Sequence, residues 1–170
     1  VERNPPEGNR ELLDGEIVPV NTASYRAASV TARMLRLLDT SAEAHGLGDV
    51  VGPDAGFVIF PDENILVAPD GSFISRHHVP PAEDQVHFAR LAPDVVVEVM
   101  FPTDRMTDVL RKINLYLEAG VTLAWLIDPQ KRTANVFRQD ESPITIHDDG
   151  VLAGDEILPG FSLPLARLFA

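Results

Sequence analysis

Four residues have the types and placement to do chemistry together: Glu16, Asp70, Glu98 and Lys112. The most informative is Glu98, set in the stretch "APDVVVEVMFPTD" (92–104) among valines that read as a buried strand. Strand alternation puts Asp94, Val96, Glu98 and Met100 on one face and Val95, Val97, Val99 and Phe101 on the other. A central parallel strand is covered on both sides, and an unpaired carboxylate there would cost several kcal/mol. Glu98 therefore either faces water from a partly solvated sheet or belongs to a site that supplies a cation or a hydrogen-bond donor. Asp70 closes the candidate strand "ILVAP" (65–69), a second carboxylate at a strand end. Lys112 falls on the following helix, at the edge of its apolar face, where a lysine commonly snorkels to solvent. Glu16 follows the Asp14-Gly15 turn, where surface glutamates are common. Together the four make the parts of a divalent-metal hydrolase: hard oxygen ligands, and an ammonium to position water.

The elements that must carry these residues are legible from periodicity. Asp14-Gly15 lies between short apolar runs in "RELLDGEIVPV", the dipeptide favoured by tight hairpin turns. From Ser24 to His45, Tyr25, Ala28, Ala32, Leu35 and Leu38 recur at helical spacing, with Ser24 as cap and Gly46 as stop. "GFVIF" (56–60), "ILVAP" and "SFIS" (72–75) read as strands, and 76–90 as a surface loop. The valine strand is followed by a helix over 104–118 with Met106, Val109, Leu110, Ile113, Tyr116 and Leu117 on its apolar face, ended by Gly120. "LAWLID" (123–128) is a further buried strand, "TANVFR" and "PITIH" a hairpin, and "PLARLFA" a short terminal helix. Strand, helix, strand over 94–128 requires a parallel pair with a right-handed crossover, whereas the shortly linked earlier strands must be antiparallel. The expected class is α/β (α+β), a mixed sheet flanked by helices with an N-terminal hairpin, in one domain spanning 1–170.

Composition narrows the partners. A formal net charge of −12 opposes indiscriminate binding to nucleic acid, whose affinity comes mainly from Lys and Arg on phosphates. Local cation groups remain: Arg105, Arg111 and Lys112, and Arg76, His77 and His78. Without cysteine there are no disulfides or thiolate sites, and a cytoplasmic protein is the simpler expectation. No apolar run of membrane-spanning length and no leader is seen. No glycine-rich phosphate loop follows a strand, His77 and His78 would point apart, and the aromatic content is too low for a sugar-stacking cleft. Trp125 reads as core.

The series "ELLDGEIV", "LVAPD", "APDVVVEVMFPTD", "TDVLRKINLYLEAGV", "AWLIDP" and "LPGFSLPLARLF" resembles, in order and over nearly the whole chain, the Uma-type restriction-endonuclease family of the PD-(D/E)XK nuclease superfamily. The resemblance implies a restriction-endonuclease-like core and Mg²⁺- or Mn²⁺-dependent hydrolysis of nucleic-acid phosphodiesters. DNA is the expected substrate and a homodimer the expected assembly. It assigns metal binding to Asp70, Glu98, Glu16 and Val99, with Glu16 assisting, and gives Lys112 the attacking water. Met100 stands where many superfamily members carry the lysine, so Lys112 serves from the helix. Relatives usually have "SPS" after the glutamate strand, where this chain has Phe101 in "MFPTD". They often have a histidine near the first helix, where this chain reads "NTASYRAAS". Neither departure removes a ligand, and both leave the alternative of a weakened nuclease fold that acts as a binding or assembly module.

Overall fold

The structure, a computed structural model, describes residues 10–13, 16–19, 23–60, 62 and 65–170. In chain order its elements are β1 (Arg10–Leu13), β2 (Glu16–Pro19), α1 (Tyr25–His45), β3 (Gly48–Val51), β4 (Phe57–Phe60), β5 (Ile65–Val67), β6 (Gly71–Ser75), β7 (Val95–Val99), α2 (Met106–Glu118), β8 (Leu123–Asp128), β9 (Thr133–Phe137), β10 (Ile144–Ile146), β11 (Val151–Ala153), β12 (Ser162–Pro164) and α3 (Leu165–Leu168).

The valine strand is central. β7 pairs parallel with β8, Val95 opposite Leu123 and Glu98 opposite Leu126, and antiparallel with β6, Gly71 opposite Val97. The sheet order is β10-β9-β8-β7-β6-β3. Its two faces divide as alternation requires: Val95, Val97 and Val99 pack into one apolar cluster with α1 and Trp125, while Val96 packs into another with Ile113 and Tyr116 of α2. β1, β2, β5 and β4 form a separate four-stranded sheet in which Leu12 stands opposite Leu66, and β11 pairs with β12. The Asp14-Gly15 turn and most of the turn between β4 and β5 lie outside the described residues.

Local chemistry accounts for the helix ends. Ser24 Oγ accepts from the Ala27 N–H at 3.3 Å, and Gly46, at φ 61°, donates its N–H to the Ala42 and Glu43 carbonyls in the left-handed conformation that suits glycine. After α2, Gly120 at φ 99° turns the chain, and Val121 donates to the Tyr116 carbonyl.

Three expectations are corrected. The buried stripe of α1 is Ala27, Val30, Thr31, Met34, Leu37, Leu38 and Ala42, whereas Tyr25, Ala28 and Ala32 are exposed and Leu35 is half-buried. Two apolar stripes share this helix, and the one with the bulkier side chains takes the core because it removes more surface from water. On α2, Met106 and Leu110 lie at the surface, and the helix turns Lys112 inward with Ile113 and Tyr116. The strands divide among two sheets and a two-stranded ribbon, and β3, β11 and β12 are added to the expected strands: GDVV, VLA and SLP are short runs with little β-branched or aromatic pattern of their own.

Replacing Met34, fully buried, with alanine should cost about 2–5 kcal/mol. Tyr25→Ala, at a side chain 92% exposed, should stay within about 0.5 kcal/mol. Urea unfolding measures both, and comparable losses would put the wrong face of α1 inward.

Candidate active site

Asp70 and Glu98 approach because β6 and β7 are antiparallel neighbours: Asp70 immediately precedes β6, and Gly71 lies opposite Val97. The Val99 N–H donates to Asp70 Oδ2 at 2.7 Å, fixing the aspartate against the strand that carries Glu98. Glu98 is buried, with 7% of its surface exposed. Two donors from α2 compensate its charge at the same oxygen: the Tyr116 hydroxyl donates to Oε1 at 2.6 Å, and Lys112 Nζ lies 2.9 Å from it. Lys112 and Tyr116 are four residues apart, one helical turn, and so reach one point. Lys112 also donates to the Ala68 carbonyl at 3.5 Å, linking α2 to the segment that leads into Asp70.

Burial, and after it the neighbouring carboxylates, dominate the electrostatics at Asp70. Asp70 is pushed up from 3.8 to about 7, first by burial and then by Glu98, with Asp104 adding to the effect. The Val99 hydrogen bond and Lys112 act in the opposite direction without cancelling it. Asp104 is held by the Phe101 N–H, which donates to its Oδ2 at 2.7 Å. Desolvation and like charge oppose ionisation of a carboxylate, and a nearby cation would restore it.

The structure thus brings together Asp70, Glu98 and Lys112. Val99 joins them through its main chain, and its carbonyl is the only oxygen it can offer a cation. Glu16, at the start of β2, is exposed and is not among the charges acting on Asp70. Its hairpin nevertheless pairs through β1 with β5, the strand leading to Asp70. Among the described residues no three His, Asp or Glu side chains form a metal-binding group. Lys112 does not snorkel: its side chain is only 15% exposed. Tyr116 and Asp104 join the site although neither is among the residues expected there. The available signal for Tyr116 was its spacing from Lys112, obscured because a tyrosine on an apolar helix face reads as core.

The other cation group is placed elsewhere. Arg76, His77 and His78 follow the far end of β6, about 13 Å along the strand. There the buried Asp94 accepts from the Ser75 N–H at 2.7 Å and pairs with His78 Nδ1 at 2.8 Å, pinning the loop to the sheet.

Two carboxyl groups from adjoining strands of a mixed sheet thus meet a lysine from α2. The same architecture occurs in a crystal structure described as "a putative nuclease belonging to DUF820" from Anabaena variabilis: it superposes with a TM-score of 0.84 over 94% of this chain and 89% of that one, at 18% identity. The chain belongs to the Uma2 family, described as "Putative restriction endonuclease", whose family model matches residues 2–166. No curated protein matches the sequence. Family and fold together support a nuclease.

The raised pKa of Asp70 gives a pH dependence in metal-free protein. The unfolded chain releases this proton near 3.8 and the folded chain only near 7, so between these values the folded state holds more protons and stability falls as pH rises. The stabilisation is fully present below 3.8 and lost through about 7, by roughly 4 kcal/mol at most. Asp70→Asn should therefore gain stability relative to the parent as pH rises from 4 to 8 in EDTA. A difference in urea unfolding that stays constant with pH would show that Asp70 is not so perturbed.

Proposed function

We propose that this chain is a metal-dependent endonuclease that hydrolyses phosphodiester bonds of nucleic acid, with DNA as substrate. The observation that carries the reading is the Glu98–Lys112 pair at 2.9 Å, beside an Asp70 whose ionisation is opposed by burial and by Glu98. The donor set fits Mg²⁺ or Mn²⁺. Two hard carboxylates suffice for Mg²⁺, which keeps several waters and draws further ligands from substrate phosphate. Asp70 and Glu98 would hold the ion, with Val99 contributing its carbonyl and Glu16 assisting from the hairpin. When bound, the cation supplies Lewis-acid stabilisation of charge building on the scissile phosphate.

Lys112 does the rest from α2. Its ammonium, anchored by Glu98 and Ala68, orients the attacking water and adds positive charge where the transition state is most negative. Arg105, exposed at the N-terminal cap of α2, would meet flanking phosphate. The acidity of the chain then becomes a control: substrate is attracted where a cation reverses the local sign and repelled elsewhere. Cutting both strands of a duplex suits a homodimer. A second reading, a weakened nuclease fold that serves as a binding or assembly module, is favoured by Phe101, half-buried against the core where relatives carry a small hydroxyl residue.

Cleavage of plasmid and single-stranded substrates should require Mg²⁺ or Mn²⁺ and stop in EDTA. Lys112→Met should lower the rate by about 100-fold or more. It should also cost stability, because it leaves the buried Glu98 without its cation, so circular dichroism must accompany the assay. Unchanged cleavage in folded Lys112→Met would remove the lysine from the mechanism.

Fluorescence anisotropy separates the two readings. Labelled DNA should bind with Ca²⁺ and not in EDTA, binding should weaken as salt rises, and Glu98→Ala should abolish the difference. Equal binding with and without Ca²⁺ defeats the metal-bridged reading. Absence of binding to either DNA or RNA favours the non-catalytic module.

A further inference from the structure

We propose that Tyr116 is a positioning residue that fixes the metal-binding carboxylate of Glu98, an inference that rests on the metal-dependent reading above and deepens it. Tyr116 is fully buried in the cluster between α2 and the sheet, where a phenylalanine would satisfy packing alone. A buried hydroxyl costs free energy unless it finds a partner, and this one donates to Glu98 Oε1 at 2.6 Å, the short distance of a charge-assisted bond.

The geometry also distinguishes Tyr116 from Lys112. A lysine has a flexible stem and an ammonium that can swing, whereas a buried phenol ring has its direction set by packing. Both donors meet the same Glu98 oxygen, and Lys112 Nζ lies 5.9 Å from the centre of the Tyr116 ring, so the ring sits beside both charged partners. With Tyr116 in place the carboxylate is held in one orientation towards Asp70. With phenylalanine, the positioning falls to the ammonium that must also serve the water. Residues that orient a metal ligand commonly change metal affinity by 10- to 100-fold when altered.

Calorimetric titration with Mn²⁺ tests this on the parent chain, Tyr116→Phe, Glu98→Gln and the double variant. Tyr116→Phe should bind Mn²⁺ about 10- to 100-fold more weakly with an unchanged circular dichroism spectrum, and saturating Mn²⁺ should restore its cleavage rate. In the Glu98→Gln background the tyrosine substitution should change affinity by less than about twofold, since the partner charge is gone. Equal affinity in parent and Tyr116→Phe overturns the proposal, and so does an equal loss in both backgrounds. If the parent itself binds no Mn²⁺, the metal reading fails and takes this role with it, an outcome distinct from failure of Tyr116 alone, which leaves parent binding intact. Should Tyr116→Phe not fold, fluorotyrosine labelling of Tyr25→Phe protein leaves Tyr116 as the only one of the two tyrosines. Its fluorine resonance should shift on addition of Ca²⁺, and a resonance indifferent to a bound ion overturns the proposal.

Discussion

A carboxylate in the middle of a valine strand must be compensated, and the cost of leaving Glu98 bare, several kcal/mol, constrains the architecture around it. The compensation comes from α2, and it works only if Lys112 and Tyr116 both face the sheet. That fixes the rotation of the helix, which in turn brings Met106 and Leu110 to the surface although they are apolar. It also fixes where the helix must stop. Gly120 reverses the chain one turn after Tyr116, and Thr122 and Leu123 then donate to the Asp94 carbonyl, so β8 begins in register with β7. The opposite face of β7 carries no such demand and is filled by Val95, Val97 and Val99 against α1. One side of the strand is wholly apolar, and the other combines an apolar cluster around Val96 with the buried charge of Glu98.

What could be read in advance follows the range of the forces involved. Alternation with a period of two is a property of the strand itself, so the two faces of β7 and the isolation of Glu98 were visible in the residues. Ser24 and Gly46 act within a turn of their positions, and both ends of α1 fall where those residues place them. The inward face of α1 is different, because Val30, Met34 and Leu37 compete with Ala28, Ala32 and Leu35, and the choice depends on the sheet and the C-terminal segment packed against the helix. Arg33 illustrates the dependence, donating to the Leu168 carbonyl at 2.6 Å across most of the chain. β3 is legible only through its partner β6, since four residues beginning at a glycine carry little pattern of their own. The union of Asp70 with Glu98 is a matter of antiparallel pairing, and the role of Tyr116 a matter of which atom its hydroxyl reaches.

The fold handles its buried carboxylates in different ways, and the contrast locates the chemistry. Asp94, at one end of β7, has each oxygen met by a donor, the Ser75 N–H and the His78 ring, and there the arrangement ties a loop to a sheet. At the other end, Glu98 and Asp104 both act on the buried Asp70, against the ammonium of Lys112. The main-chain N–H of Val99 acts in the opposite direction without offsetting burial, and Asp70 still holds its proton up to about 7. Holding that proton relieves the crowding of carboxyl groups around Asp70, and releasing it as pH rises through about 7 costs stability. The same kind of side chain thus serves different ends at the two ends of one strand: Asp94, met by a donor at each oxygen, ties a loop to the sheet, whereas Asp70, buried beside Glu98, keeps its proton up to about 7 and so makes the fold answer to pH.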